Sequence, residues 1–243
     1  MSDELDKLFA NSRATTSGFR FDEQVVKVFP DMIARSVPGY ELVVPMIGLL
    51  ARRYAQADSR IYDLGCSLGA ASLAMSLALR TKGVKIVAVD NSEAMVTRCR
   101  KNVAENGGSV PIEVRLQNML DTRIENASIV VLNFTLQFLD RQQRQVLINQ
   151  IAAGMRSGGV LIISEKICFD DPREQADQTD WHHDFKRTQG YSDLEIAQKR
   201  NALEDVLRPD TEAAHFKRLQ QAGLSSPRRW FQCFSFVSYI AFK

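Results

Sequence analysis

The stretch IYDLGCSLGAA, Ile61 to Ala71, decides the fold. Ile61 to Leu64 reads as a short strand that ends at Gly65, and Ala70 to Arg80 has the Ala, Leu and Met content of a helix. A strand that runs into a glycine turn and then at once into a helix opens a βαβ unit, and the chain downstream repeats that rhythm. Val84 to Val89 reads as a strand, and Ser92 as the N-cap of a helix reaching about Glu105, with Met95, Cys99 and Val103 four residues apart. Pro111 precedes a strand at Ile112 to Leu116, and Ser128 to Leu132 is a continuous apolar run of the kind found in buried parallel strands. Arg141 to Met155 reads as a helix with Leu147, Ile151 and Met155 on one face, after which Ser157-Gly158-Gly159 turns the chain into Val160 to Ile163. Strands and helices alternating over short connections predict an α/β fold with a mostly parallel sheet covered on both faces.

The flanks add to this core. Residues 1–21 read as a flexible segment, since Asn11, Ser12, Thr15, Thr16, Ser17 and Gly18 offer little to pack, and 22–243 as one domain. Val25, Val28, Phe29, Met32 and Ile33 make one helical apolar stripe that Pro38-Gly39 ends, and a second helix spans about Glu41 to Tyr54. Residues 174–222 read as a charged helical cap or partner surface. From Trp230 to Phe242 the alternation predicts an antiparallel hairpin at the sheet edge.

Composition narrows the function classes. The 243 residues are 45% apolar and 25% charged, ordinary for a globular chain, with a formal charge of +2. Such a balance gives no whole-molecule pull toward nucleic acid or anionic lipid, so no direct nucleic-acid or membrane partner is expected. Cys66, Cys99, Cys168 and Cys233 lie too far apart for a CxxC pair, so they read as reduced and structural, with no metal site. The first residues, MSDELDKLFANSR, lack the apolar core of a signal peptide, and the expected compartment is the cytoplasm.

In an open α/β sheet, ligands bind beyond the carboxyl ends of the strands where strand order reverses. After the first strand, Gly65-Cys66-Ser67-Leu68-Gly69-Ala70 fits GxGxxG only loosely: Ser67 replaces the second glycine and Ala70 the last. That second glycine admits a pyrophosphate, so its absence speaks against a nicotinamide dinucleotide. The second strand ends in Asp90-Asn91, where a carboxylate can accept hydrogen bonds from two ribose hydroxyls. Taken together these features resemble the S-adenosylmethionine (SAM) site of Rossmann-like class I methyltransferases. The plain alternative is an α/β domain in which the glycines only turn the chain. In the methyltransferase reading Gly65, Cys66 and Ser67 floor the methionyl pocket, Asp90 holds the ribose with Asn91 beside it toward adenine, and Asn118-Met119 meet the adenine edge. Asn133 ends the fourth strand near the sulfonium. The sequence there is Asn133-Phe134-Thr135-Leu136, not the Asn-Pro-Pro-Tyr type found with planar nitrogen acceptors.

Longer segments carry a narrower likeness. VFPDMIARSVPGY (Val28 to Tyr40), NASIVVLNFTLQFL (Asn126 to Leu139), HHDFKR and GYSDLEIAQKR (within His182 to Arg200) and WFQCF (Trp230 to Phe234) resemble bacterial carboxy-S-adenosyl-L-methionine (carboxy-SAM) synthases over nearly the whole chain after residue 20. That resemblance implies that SAM is a substrate rather than a methyl donor: SAM and prephenate become carboxy-SAM and phenylpyruvate, without metal. The product then serves a separate enzyme that carboxymethylates a wobble uridine of tRNA. It implies a homodimer, and site residues at Tyr40, Gly65 to Ser67, Asp90, Asn91, Asn118, Met119, Asn133 and Arg200. The family usually has Asp where this chain has Asn118, although an amide still offers an acceptor. No side chain is assigned as acid or base, because hydroxide expelled from prephenate as its ring aromatises can take the methyl proton, leaving positioning and charge to the protein.

A new carboxylate beside the sulfonium suits a guanidinium, so Arg200 is the first candidate to bind it and Tyr40 the second. On spacing alone Arg200 reads rather as a solvated charge following Lys199, and it is the resemblance that favours the binding role. His182, His183, Lys186 and Arg187 are weaker candidates for dianionic prephenate, each also readable as a surface helix residue. Cys66 reads as a bystander rather than a nucleophile. Two rivals remain: a conventional SAM-dependent methyltransferase of a small molecule or tRNA, and a non-catalytic SAM-binding regulatory module.

Overall fold

The computed structural model describes residues 5–10, 20–204 and 206–243. Two helices, α1 (Glu23–Ser36) and α2 (Tyr40–Tyr54), lead into β1 (Arg60–Leu64), α3 (Ala70–Ala78), β2 (Lys85–Asp90), α4 (Glu93–Asn106), β3 (Ile112–Leu116), β4 (Ala127–Asn133), α5 (Arg141–Gly154) and β5 (Met155–Lys166). The chain continues through α6 (Pro172–Thr188), α7 (Asp193–Glu204), α8 (Glu212–Gln221), β6 (Ser225–Cys233) and β7 (Phe236–Phe242). Capping chemistry sets several of these ends. Asp22 accepts the amides of Gln24 and Val25 at the start of α1, and Ser92 accepts that of Met95 in α4, where the sequence placed its N-cap.

The strands form one sheet in the order β3-β2-β1-β4-β5-β7-β6, parallel from β3 to β5, with β7 antiparallel to both its neighbours, β5 and β6. From β1 the chain moves out to β2 and β3, then returns to the other side of β1 as β4. The reversal of strand order therefore lies between β1 and β4. Alternation along the strands sorts two cores. Tyr62, Leu64, Val130, Leu132, Leu161 and Ile163 face α5 with Leu147 and Ile151, while Ile61, Ile129, Val131 and Ile162 face α2 and α3 with Ile47 and Met75. Burial on both faces explains the unbroken apolar runs of β4 and β5.

Three features depart from the sequence reading. The first concerns residues 1–21: 1–4 and 11–19 lie outside the described residues, but 5–10 pack, with Asp6 and Phe9 buried. Asp6 accepts the Tyr191 hydroxyl at 2.5 Å and pairs with Lys199 at 3.3 Å, so a polar segment is held by partners nearly two hundred residues away. Second, β5 begins at Met155, and the Ser157-Gly158-Gly159 turn is a bulge within it: Ala127 pairs with Met155 but Ile129 with Val160. Third, the hairpin starts at Ser225 rather than Trp230, because an edge strand tolerates Pro227 and the exposed Arg228 and Arg229. Among the described residues no single helix is long and apolar enough to cross a membrane.

Candidate active site

Three loops meet at the carboxyl edge where strand order reverses. The Val89 carbonyl accepts the amides of both Gly65 (2.8 Å) and Cys66 (2.9 Å), and Asp90 Oδ2 accepts the Ser67 amide at 2.9 Å. Asp90 Oδ1 accepts the Ser92 amide at 2.9 Å, and the Asp90 carbonyl accepts Gln117 N–H at 2.9 Å, which brings in the loop after β3. Burial pushes the Asp90 carboxyl up from its ordinary value, and the amides of Ser92, Ser67 and Asn91 pull it back. The turn is tight: Gly65 (φ 78°) and Ser67 (φ 50°) both adopt left-handed backbone. A Cβ on Gly65 would collide with the Thr135 side chain, so the loops after β1 and β4 touch across the switch point.

The loop after β4 carries its own strain. Phe134, directly after Asn133, has φ 59°, rare for a bulky residue. Its amide donates to the Ser164 carbonyl at 2.7 Å, and its ring lies between those of Tyr40 (6.2 Å) and Phe236 (6.1 Å). Beneath it, buried Glu165 accepts the Leu136 amide at 2.9 Å; burial raises its carboxyl to about 8, against the opposing charge of Arg144. Arg144, fully buried, donates to the carbonyls of Gln137 and Leu139 and pairs with Asp210 at 2.7 Å. Asn133 Oδ1, buried at the end of β4, has no hydrogen-bond partner among the described residues. An acceptor stranded at that place is met by a ligand that brings an N–H donor, as the SAM ammonium does.

Two acidic or phenolic groups complete the pocket edge. Tyr40 opens α2 after Gly39, whose left-handed backbone (φ 79°) leaves no room for a Cβ against Phe231. Burial, reinforced by the Asp63 charge, pushes the Tyr40 phenol above its ordinary value and keeps it a donor. Asp63 accepts the Ser72 hydroxyl at 2.6 Å, and burial raises it to about 6, with the Asp90 charge adding to the rise. Negative groups at this edge suit a sulfonium nucleoside. Neither Asp63 nor Glu165 stood out as a site residue in the sequence. Asp63 had a signal, an acid in the last residues of the strand before the glycine turn; Glu165 had none.

The other predicted residues are placed as follows. Asn118 Oδ1 accepts the Leu120 amide at 3.0 Å, capping a short turn at Met119–Asp121 that half-buries Met119, while Asn91 is exposed. Cys66 is held as a thiol, its pKa raised by a hydrogen bond with Cys99 and by burial. Arg200 stands apart: it is exposed on α7, joined to none of the cofactor-loop residues by a hydrogen bond or ion pair among the described residues, and its charge is felt by His183. Two of the weaker candidates are not surface residues: His182 and Lys186 are buried, His182 meeting the Ser36 carbonyl at 2.8 Å. Arg187 is the surface helix residue that its alternative reading describes, exposed and already paired with Asp184 (2.7 Å) and Asp193 (2.8 Å). Among the described residues no group of three or more His, Cys, Asp or Glu is placed to hold a metal ion.

Known proteins agree with this geometry. Residues 61–159 match a family described as a methyltransferase domain. A putative O-methyltransferase of Nostoc punctiforme superimposes with a TM-score of 0.64 at 16% identity, covering 97% of this chain and 65% of that one. The magnesium protoporphyrin IX methyltransferase of Synechocystis, solved with bound SAM, gives 0.57 at 15% identity, over 90% and 83%. These likenesses establish the class I methyltransferase fold. Sequence relatives go further: the carboxy-S-adenosyl-L-methionine synthases of Hahella chejuensis and Citrifermentans bemidjiense are 52% and 54% identical over 100% of both chains. That of Yersinia enterocolitica is 52% identical over 99% of this chain and 90% of its own. With full-length identity above half, and the glycine turn joined to Asp90 at the switch point, the chain belongs to the carboxy-S-adenosyl-L-methionine synthase family.

Proposed function

We propose that the chain converts SAM and prephenate into carboxy-SAM, phenylpyruvate and water. The observation that carries this reading is the end-to-end match to relatives named for that product. In the balanced step the ring carboxylate of prephenate leaves as CO2 and its ring hydroxyl as hydroxide while the ring becomes aromatic. Hydroxide takes a proton from the SAM methyl, and the electron pair left on that carbon forms the new bond to CO2. The protein's part is to position both substrates and keep bulk water out, which suits a pocket edge of buried aromatics.

Within that reading the residues take these roles. Asp90 takes the ribose, with Asn91 beside it toward adenine. Asn118 and Met119 meet the adenine edge; since Asn118 Oδ1 already caps the turn, its amide nitrogen is the group on offer. Gly65, Cys66 and Ser67 floor the methionyl part, and the orphaned Asn133 Oδ1 accepts from the SAM ammonium. Tyr40, held as a donor, and Arg200, without an anionic partner among the described residues, bind the new carboxylate. We further place the chain in the cytoplasm as a homodimer through its helical third, where Trp181 and Leu194 stand exposed, supplying a separate tRNA wobble-uridine carboxymethyltransferase.

Purified protein incubated with SAM, with and without prephenate, tests the reading by mass spectrometry of the nucleoside. A prephenate-dependent product heavier than SAM by one CO2 is expected. S-adenosylhomocysteine with a methylated acceptor would support a conventional methyltransferase instead, and SAM unchanged under every condition a binding module.

A further inference from the structure

Beyond the carboxyl ends of β4 and β5 stand two lysines, Lys186 buried and Lys166 half-buried, with no ion pair among the described residues. Lys166 closes β5, two residues beyond Ser164, the strand partner of Asn133. Its ammonium stands 5.8 Å from the centroid of the Phe236 ring. Lys186 lies one helical turn after His182 on α6 and is only 7% exposed. The His182 ring packs edge-on against the same Phe236 at 4.8 Å, so α6 turns this face toward the end of β5. Phe236 in turn contacts Phe134, and Phe134 contacts Tyr40, which ties the lysines to the cofactor edge through consecutive rings.

Among the described residues neither lysine makes an ion pair, whereas buried Lys199 has Asp6 at 3.3 Å. The charges felt by Lys186 are those of two other cations, Lys199 and Lys166. Burial, then this repulsion, lowers it to about 7; burial alone lowers Lys166. Burying ammonium groups beside one another costs stability unless an anion is drawn between them. A packed protein has cheaper ways to fill such a space, so the cost points to a ligand.

We propose that Lys166 and Lys186 form the anion-binding end of the active site and take the two carboxylates of the CO2 donor, with the Phe236 ring beneath the donor's own ring. This assignment rests on the carboxy-SAM synthase reading and adds to it the residues that recognise the second substrate. It also makes a two-carboxylate ligand the preferred one over a monocarboxylate.

Lys166→Met and Lys186→Met, which keep the apolar stems, are compared with wild type and with Arg187→Ala, a surface control. Each lysine variant is expected to raise the KM for prephenate roughly 10- to 100-fold, the effect of losing a charge-assisted hydrogen bond, while SAM affinity stays within about twofold. Thermal unfolding supplies a second readout. Without ligand both variants should melt no lower than wild type, because a buried unpaired cation has gone, and prephenate should no longer raise their Tm. If wild type makes no carboxy-SAM from prephenate, the functional reading itself fails. If wild type is active but both variants keep its KM and its prephenate-induced Tm shift, the lysine assignment alone is overturned.

Discussion

Asp90 Oδ2 accepts the Ser67 amide at 2.9 Å, so the end of β2 and the turn after β1 form one piece. The same carboxylate holds the Ser92 amide through its other oxygen. Preorganisation of this kind lowers the entropy cost of binding. Replacing Asp90 by Ala removes both the ribose acceptor and the brace on the turn. SAM affinity is expected to fall about 100-fold or more, as calorimetric titration would measure, while Asp90→Asn, which keeps an acceptor, falls less. Equal losses in the two variants would show that the carboxylate charge, which both lack, matters more than the acceptor that Asn keeps.

Gly65 tests the contact across the switch point. Gly65→Ala meets left-handed backbone, worth about 1–2 kcal/mol alone, and a collision with Thr135. Its Tm and SAM binding should both drop. Adding Thr135→Ala should recover part of the Tm, since the collision goes and the backbone strain stays. No recovery in the double variant would mean that the loops separate in solution.

The pH dependence of stability carries the signature of Glu165. Its carboxyl is raised to about 8 in the folded chain, mainly by burial, from an ordinary value of 4.5. Between those two values the folded state binds more protons than the unfolded one, so the residue's contribution to stability falls as pH rises through that window. Glu165→Gln retains an acceptor for the Leu136 amide and has no proton to lose. Its Tm should decline less than that of wild type between about pH 5 and pH 8. Parallel Tm curves would remove Glu165 as the source.

Asp6 and Lys199 provide a test of the N-terminal contact. Asp6→Ala leaves the Lys199 ammonium buried without a carboxylate, a loss of about 3 kcal/mol by analogy with broken buried pairs. Chemical denaturation should show it. Arg200 sits on the same helix as Lys199, so under the role proposed for it carboxy-SAM retention should weaken more than SAM binding. Combining Asp6→Ala with Lys199→Met should restore most of the stability; failure to do so would mean that the pair is not what anchors the segment.

What could be read from the sequence was what local pattern dictates. Apolar runs such as Ser128 to Leu132 gave the parallel strands, and the glycine turn with Asp90 one βα unit later pointed to the two loops that the Ser67–Asp90 contact joins. The burial of Asp6 depends on Tyr191 and Lys199, which no local pattern links to it. Lys186 and His182 sit in a polar helix and read as surface residues; tertiary packing buries them, with Phe236 of β7 and the Ser36 carbonyl of α1 against His182. The edge strand β6 begins among Ser225, Ser226 and Pro227, whose residue types argue for a turn. Asn133 was legible as a strand end, but its lack of a partner is visible only in the packed structure.

The most direct measurement follows a carbon atom. Prephenate labelled with 13C in its ring carboxyl is incubated with the protein and SAM, and the nucleoside is analysed by mass spectrometry and NMR. The label is predicted to appear in a carboxylate bonded to the former SAM methyl carbon, with phenylpyruvate formed in equal amount. Phenylpyruvate formed while the nucleoside stays unlabelled, or a nucleoside carboxylate drawn from unlabelled bicarbonate instead, would contradict the account.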